Sequence, residues 1–193
     1  MHKIKNLILK SGVILFVFRL PLRVYYKVLN KLNTLWWSFF VKEIGKNCLI
    51  EFGVKIENPK QILIGNNVYI GSGTVFGSEN NIGVCKLSDN VHIGKNCKVD
   101  HTGNVTIKEN TLFSEEVTVF SHSHGYDPRS EAIPMDLCIE ENVWVGYRVV
   151  ILESCSVICS GVIVAACGLV SKDLEKINFI YAGVPVKKIK YKS

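Results

Sequence analysis

Two histidines that stand two positions apart are the residues best suited to chemistry in this sequence. His122 and His124 lie in the polar stretch 121–138, which also contains one glycine and two prolines and is expected to be a loop. A neutral imidazole can act as a general base near neutral pH. Asp127, in the same stretch, is a candidate to orient one imidazole, and a structural or solvated carboxylate is the default interpretation. The alternative is that both histidines only decorate an exposed loop.

Lysines near the carboxyl end form a second group with chemical potential. Lys172, Lys187, Lys188 and Lys190 belong to the stretch 172–193, which has six basic and two acidic residues, a net charge of +4. Such cations suit the phosphates of a ligand. The alternative is a solvated, lysine-rich end of the chain.

The remaining charge is distributed unevenly. Residues 1–43 carry eight basic residues and one acidic residue, and residues 44–171 carry nine basic and fourteen acidic residues, a net charge of −5. Nucleic-acid binding would require a basic stripe on the body of the protein, so the acidic middle argues against it. The seven cysteines include no C-x-x-C pair, which is typical of reduced thiols in a cytoplasmic protein.

The elements that would position these groups are indicated by a six-residue period. Aliphatic residues recur at this spacing with one extra residue in the middle, at Ile139, Val145, Ile151, Ile158, Val164 and Val170. A period of six fits neither a helix nor a plain strand, and it is the signature of a parallel β-helix whose coils stack on one another. The one-residue insertion leaves a second register open, with Val157, Ile163 and Leu169 pointing inward.

The same period recurs upstream. The earlier runs are Ile44, Ile50, Ile56 and Ile62; Ile64, Ile70, Phe76 and Ile82; Leu87, Ile93 and Val99; and Ile107, Phe113 and Val119. Slips of one or two residues separate these runs. We interpret the slips as loops at coil corners, because insertions there leave the stacked strands in register.

Three blocks of this sequence carry a family resemblance: NVWVG (Asn142 to Gly146), IVAACGLVSKD (Ile163 to Asp173) and AGVPVKKIK (Ala182 to Lys190). They resemble the closing block of the hexapeptide-repeat acyltransferases, among which the galactoside, maltose and polysaccharide O-acetyltransferases are most similar. The resemblance covers roughly residues 44–190. It implies an all-β, left-handed parallel β-helix with three repeats per coil, a homotrimer, and transfer of an acetyl group from acetyl-CoA to a sugar hydroxyl in cell-surface polysaccharide or lipopolysaccharide assembly.

The resemblance also implies roles for individual residues. His122, at the end of VTVFSH, matches the catalytic histidine, and His124 stays open as the alternative. The implied acetyl-CoA residues are Trp144, Gly146, Tyr147, Ala166, Ser171, Lys172, Lys187 and Lys190. Lys187 and Lys190 stand where the family has arginines, so they lack the bidentate fork that suits phosphate.

Other functions remain open at this point. They are acetylation of an antibiotic or of the amine of an amino sugar, a noncatalytic β-helix scaffold, and a zinc protein like the carbonic anhydrases of this fold. A zinc site of that last kind needs three histidines. His122 and His124 are too close in sequence to match its spacing, and no metal is expected.

The domain organisation follows from these patterns. We expect a helical cap over residues 1–43, the β-helix over 44–173 with its loop at 121–138, and a basic tail over 174–193. Pro21 is expected to separate two helices. The first 43 residues are basic and aromatic, and their apolar runs are too short for a membrane span. They are expected to cap the β-helix or to contact anionic lipid at the inner face of the membrane.

Overall fold

The computed structural model describes residues 13–192, with side chains from residue 19 onward. Three sheets of short strands form the faces of a prism. The first contains β1 (Glu43–Ile44), β4 (Ile62–Ile64), β7 (Cys85–Leu87), β10 (Val105–Ile107), β15 (Leu137–Ile139) and β18 (Val157–Ile158). The second contains β2 (Leu49–Ile50), β5 (Tyr69–Ile70), β8 (His92–Ile93), β11 (Leu112–Phe113), β16 (Trp144–Val145), β19 (Ile163–Val164), β21 (Phe179–Gly183) and β22 (Val186–Tyr191). The third contains β3 (Lys55–Ile56), β6 (Val75–Gly77), β9 (Lys98–Asp100), β12 (Thr118–Val119), β17 (Val150–Ile151) and β20 (Leu169–Val170).

The chain visits the first, second and third sheets in turn and then returns to the first sheet one coil later. Strands one coil apart pair in parallel, as in the register of β4 with β7 and of β9 with β12. The predicted left-handed parallel β-helix with an N-terminal helical segment is confirmed.

The side chains that recur at the six-residue period fill the interior of this prism. Phe76, Phe113 and Ile158 are fully buried, and the register with Ile158 pointing inward is the one adopted, since Val157 is only half-buried. The prediction was wrong at Ile82, which is 77% exposed. Ile82 lies in an irregular corner segment, and Leu87 takes the next inward position.

Every departure from the period falls on one edge of the prism. The inward positions are six residues apart except between Ile56 and Ile64, Phe76 and Leu87, Val99 and Ile107, Val119 and Ile139, and Ile151 and Ile158. All five longer steps connect the third sheet to the first. We call this edge, formed by residues 57–61, 78–84, 101–104, 120–136 and 152–156, the insertion edge. Extra residues there leave the prism without disturbing the register of the stacked strands.

Helix α1 (Val13–Ser38) covers the first coil. The predicted break at Pro21 is wrong, because the helix continues through this residue. A proline removes one backbone hydrogen bond, but its φ angle is helical, so a helix can pass through it at a cost of about 3 kcal/mol. Near its end, Asn33 Nδ2 donates to the Glu51 carbonyl (2.9 Å) and Thr34 Oγ1 accepts the N–H of Ile50 (2.9 Å). These bonds satisfy the free edge of β2.

The C-terminal residues continue the second sheet. Strand β21 pairs in parallel with β19, and β22 returns antiparallel to β21. The buried side chains of Tyr181 and Val186 cover the top of the core. A short 3-10 helix at Pro59–Gln61 and a hairpin of β13 (His122–Ser123) and β14 (Ile133–Pro134) lie on the insertion edge.

Candidate active site

His122 stands on the insertion edge at the mouth of the longest insertion. It begins the hairpin of β13 and β14, in which it pairs with Pro134. Its side chain is 14% exposed, so one side of the ring packs against the prism and the other is accessible. The hairpin therefore holds His122 in place, while residues 125–131 of the loop extend into solvent.

Asp100, one coil below, orients this histidine. Its Oδ2 lies 2.8 Å from His122 Nδ1 and also accepts the N–H (2.6 Å) and the hydroxyl (2.7 Å) of Ser121. Its Oδ1 accepts the N–H and the hydroxyl of Thr102 at 3.1 and 2.6 Å. Burial alone would raise the pKa of Asp100, but the hydrogen bonds from Thr102, Ser121 and His122 lower it further than burial raises it. Asp100 is therefore a carboxylate at neutral pH.

The carboxylate fixes the tautomer of His122. A carboxylate can only accept, so the hydrogen bond places the ring proton on Nδ1 and leaves the lone pair of Nε2 free. Asp127, the candidate for this role, does not take it: its Oδ1 accepts the N–H of Arg129 in an exposed turn, as the alternative of a structural or solvated carboxylate predicted. Asp100 immediately follows the inward residue Val99, which pairs with Val119, so counting one coil back from Phe120 would have found it.

His124 and Glu79 complete the group. His124 Nδ1 lies 2.7 Å from the Ser130 carbonyl, to which it donates. This bond is the main cause of a raised pKa for His124. The two imidazole centroids are 5.0 Å apart, and Glu79 presents one carboxylate oxygen to each Nε2 at 3.4 Å. Glu79 comes from the insertion that follows β6, which the period alone did not mark as functional.

A cleft of about 670 Å³ opens beside His122 on the outer face of the third sheet. Its floor is formed by outward side chains of successive strands, including Val75, Thr118 and Val150, and its wall by Phe120. Beneath the edge, the buried ring of His101 bonds to the Gly83 and Glu57 carbonyls at 3.3 and 3.2 Å. A small ligand in this cleft would lie on an apolar floor beside the free nitrogen of His122.

Four of the residues implied for acetyl-CoA lie together elsewhere, on the second sheet and at the corner that follows it. Trp144 is half exposed, and its Nε1 donates to Ser114 Oγ at 3.0 Å. Gly146 lies against Ala166, since a Cβ at Gly146 would be 2.7 Å from the Ala166 nitrogen. The Cys167 N–H donates to the Tyr147 carbonyl at 2.7 Å.

The remaining four lie near the top of the prism. Trp144, Ile163, Ile180 and Lys190 occupy one transverse row of the second sheet, so an outward apolar strip joins Trp144 to Lys190. Lys172 and Lys187 line a shared depression of about 330 Å³. Ser171 is half-buried, and its carbonyl accepts the Ser154 hydroxyl at 3.0 Å.

The histidines and the residues implied for acetyl-CoA do not meet within one chain. His122 lies on the edge between the third and first sheets, and Trp144 lies on the second sheet, which is the face opposite that edge. A ligand extended along the second sheet of one chain therefore points away from the imidazole of that same chain.

Comparison with known proteins identifies structures of similar fold. No family model and no curated protein sequence matches this chain. The structure is similar to a mutant of AntD, an N-acyltransferase from Bacillus cereus, in complex with dTDP and coenzyme A, with a TM-score of 0.72 and 25% identity over 83% of this chain and 89% of that one. Another AntD mutant, in complex with dTDP-4-amino-4,6-dideoxyglucose and coenzyme A, gives a TM-score of 0.73 and 22% identity over the same shares of the two chains.

A third similar structure is the hexapeptide-repeat containing acetyltransferase VCA0836 from Vibrio cholerae. Its TM-score is 0.63 and its identity 20%, over 99% of this chain and 93% of that chain. The chain thus has the fold of the hexapeptide-repeat acyltransferases, and the resemblance indicated by its closing block is confirmed at the level of the fold.

Proposed function

We propose that the protein is an acetyl-CoA-dependent O-acetyltransferase that acts on a sugar hydroxyl in the assembly of a cell-surface glycan. The observation that carries this proposal is the Asp100–His122 pair at the edge of the cleft, with Nδ1 and Oδ2 at 2.8 Å. A thioester is already activated, and what the reaction lacks is a base for the hydroxyl. An imidazole held in one tautomer by a carboxylate supplies that base.

In this mechanism the proton moves through His122. Its Nε2 takes the hydroxyl proton while the hydroxyl oxygen bonds to the thioester carbonyl carbon. The tetrahedral intermediate collapses by breaking the carbon–sulfur bond, and the imidazolium returns the proton to the leaving sulfur, which gives an acetyl ester and free CoA. Asp100 stabilises the imidazolium in between. Base catalysis of this kind contributes roughly 10²- to 10⁴-fold in rate.

The acetyl-CoA would be bound by a neighbouring copy of the chain. Residues Trp144 and Lys190 share one row on the face opposite His122, which supports a site built from the second sheet of one subunit and the insertion edge of the next. A homotrimer with closed rotational symmetry provides three such sites. Lys172, Lys187 and Lys190 are exposed cations suited to the phosphates of the cofactor.

A second candidate is acyl transfer to the amine of a nucleotide-linked sugar, the kind of acceptor bound by the AntD mutant. A free amine is itself a good nucleophile and depends less on a general base. The oriented imidazole of His122 therefore favours a hydroxyl acceptor.

The test is a set of acetyl-transfer assays that detect the thiol of free CoA with hydroxyl and amino sugars as acceptors. His122→Ala is expected to lower turnover at least ~10²-fold while acetyl-CoA binding, measured by calorimetry, survives. His124→Ala is the matched comparison for the second imidazole. Turnover only with amino sugars would favour the N-acyl reaction, and failure to bind acetyl-CoA would favour the noncatalytic scaffold.

Helix α1 supports peripheral contact with an anionic membrane at the cytoplasmic face. Within residues 13–192, no helix combines the length and the apolar character needed to cross a bilayer. The side of α1 that faces away from the prism exposes Val24, Tyr25, Val28, Leu32, Leu35 and Trp36. Basic residues recur at every fourth position, at Arg19, Arg23, Lys27 and Lys31, and the first 42 residues contain no acidic residue. This combination is typical of a helix that lies in a lipid interface.

Vesicle sedimentation tests this contact. We expect the full chain to sediment with anionic vesicles and a chain starting at Glu43 to stay in the supernatant. Replacing both Lys27 and Lys31 by glutamine keeps the helix and removes about 2 kcal/mol of attraction, a loss of roughly 30-fold in binding. Equal recovery of all three proteins in the supernatant would refute the membrane contact.

A further inference from the structure

We propose that Glu79, His122 and His124 form a binding site for a divalent transition metal such as Zn²⁺, and that metal bound there inhibits the enzyme. The metal would not be needed for catalysis, because the reaction proposed above uses His122 as a free base. Metal binding rests on the geometry of the three side chains, and inhibition rests in addition on the proposed function.

The Nε2 atoms of both imidazoles face Glu79. His122 Nδ1 donates to Asp100, and His124 Nδ1 donates to the Ser130 carbonyl, so each ring has its proton on the nitrogen that faces away from the other ring. Both Nε2 lone pairs are then directed toward the Glu79 carboxylate, which also carries only lone pairs. When both rings are neutral, three acceptor groups face one another, and a metal ion between them would be attracted to all three.

The distances between the imidazoles and Glu79 are longer than those of direct hydrogen bonds. Both contacts from Nε2 to Glu79 are 3.4 Å, whereas a charged N–H···O bond is about 2.7–2.9 Å long. Ligands of a tetrahedral zinc site lie about 2.0–2.1 Å from the ion, which places neighbouring ligand atoms roughly 3.3–3.4 Å apart. The observed separations, one to each oxygen of Glu79, are too long for direct charged hydrogen bonds and leave room for an ion between the carboxylate and the two rings.

The surroundings of the two histidines suit a metal ion. A histidine that binds a metal usually donates its other N–H to a carboxylate or a backbone carbonyl, and here one ring does each. The three ligand atoms lie within 4.8 Å of one another. Glu79 is half exposed and His124 about a quarter exposed, so an ion can enter from solvent. Two imidazoles and one carboxylate form a donor set that suits Zn²⁺ and leaves one position for water.

The consequence for catalysis follows from the shared nitrogen. A metal at this point takes the Nε2 lone pair of His122, which is the one that would accept the hydroxyl proton. Bound zinc therefore blocks the base, and a chelator is expected to restore it.

The experiment measures binding first, without reference to activity. The full chain is freed of metal with a chelator and titrated with ZnCl₂ by calorimetry, and one ion per chain is expected. His124→Ala and, separately, Glu79→Gln should each weaken the affinity by at least ~10²-fold, since loss of a direct ligand costs no less than loss of its supporting partner. His92→Ala is the matched control, because His92 is an exposed histidine on the second sheet, stacked on Tyr69. It should bind as the unchanged protein does.

Cobalt(II) substitution identifies the ligand type. Imidazole and carboxylate ligands give no intense thiolate-to-metal charge-transfer band, so the appearance of that band would assign the metal to cysteine and overturn the site. Absence of one-to-one binding, or binding unchanged in both variants, would also overturn it. Stoichiometric binding without inhibition of acetyl transfer would uphold the metal site and contradict the role of His122 as base, so the two proposals can fail separately.

Discussion

Replacing Asp100 by asparagine removes the charge beside His122 while keeping the shape of the side chain. Five hydrogen-bond donor contacts converge on the two carboxylate oxygens of Asp100. The amide is expected to place its oxygen where Oδ2 stands, because the Ser121 N–H and the His122 ring both require an acceptor there. Its NH₂ group then faces Thr102. The tautomer of His122 is kept, and the stabilisation of the imidazolium is reduced.

The magnitude follows from the type of hydrogen bond. A hydrogen bond to a charged group contributes about 1.5–3 kcal/mol and a neutral one about 0.5–1.5 kcal/mol, so the substitution costs the transition state about 1–2 kcal/mol. At 1.36 kcal/mol per tenfold change, turnover should fall by about 5- to 30-fold. The KM for acetyl-CoA should stay the same, because Asp100 contacts the His122 ring and is not among the residues implied for the cofactor.

The assay is a double-mutant cycle on acetyl transfer. Asp100→Asn should lower turnover in the unchanged protein and have little further effect in the His122→Ala background, since residues that act as a unit are not additive. Asp127→Asn is the matched control and should keep full turnover. If Asp100→Asn lowers turnover equally in both backgrounds, Asp100 acts through something other than the His122 imidazole and the reasoning fails.

Three further predictions concern the cofactor face, the core and acid stability. Cys167 is exposed beside Ala166, so CoA at about ten times its Kd should slow the alkylation of the Cys167 thiol about tenfold. Cys97, whose burial raises its pKa to about 11, is the control and should react only after unfolding. Equal alkylation rates of Cys167 with and without CoA would count against this face as the cofactor site. Phe113→Ala should lower the free energy of unfolding by about 3–5 kcal/mol in denaturant titrations, because Phe113 is fully buried, while the 55% exposed Phe52 should tolerate alanine. The pKa of Asp100 is lower in the folded state than in the unfolded state, where it is about 3.9. The ionised side chain therefore stabilises the fold above about pH 3.9, and this stabilisation is lost as the pH falls through the folded-state pKa. The midpoint of thermal unfolding between about pH 5 and 2 should depend less on pH in Asp100→Asn than in the unchanged protein.

The fold was predictable because the side-chain period is a direct consequence of the prism. An apolar side chain such as that of Ile151 is needed at every sixth position so that each coil buries its part of the core. This constraint is visible in a single sequence. The corner segments carry no such constraint. Ile82 kept the period by chance and lies exposed in a corner. Pro21 has a helical φ angle, so a proline there was not a sufficient signal for a break.

The candidate site was predictable only in part for a related reason. His122 was marked by its place after a repeat, and Asp100 could have been found by counting one coil back, but Glu79 reaches the site from an earlier coil through the length of its insertion. The lengths of the insertions decide which residues of the insertion edge meet, and they follow from no local pattern. Whether His122 and Trp144 act together depends on a neighbouring chain, whose position a single sequence does not contain.

Subunit complementation tests the central claim most directly, that the active site combines His122 of one chain with the second sheet of another. A His122→Ala chain and a Trp144→Ala, Lys190→Glu chain, each of low activity alone, are mixed in equal amounts under conditions that exchange subunits. If each site takes its imidazole from one chain and its cofactor face from the next, half of the sites receive an intact His122 and half receive an intact cofactor face. About one quarter of the sites then have both and regain full activity. A mixture no more active than its separate components, with exchange verified by mass, would contradict the account.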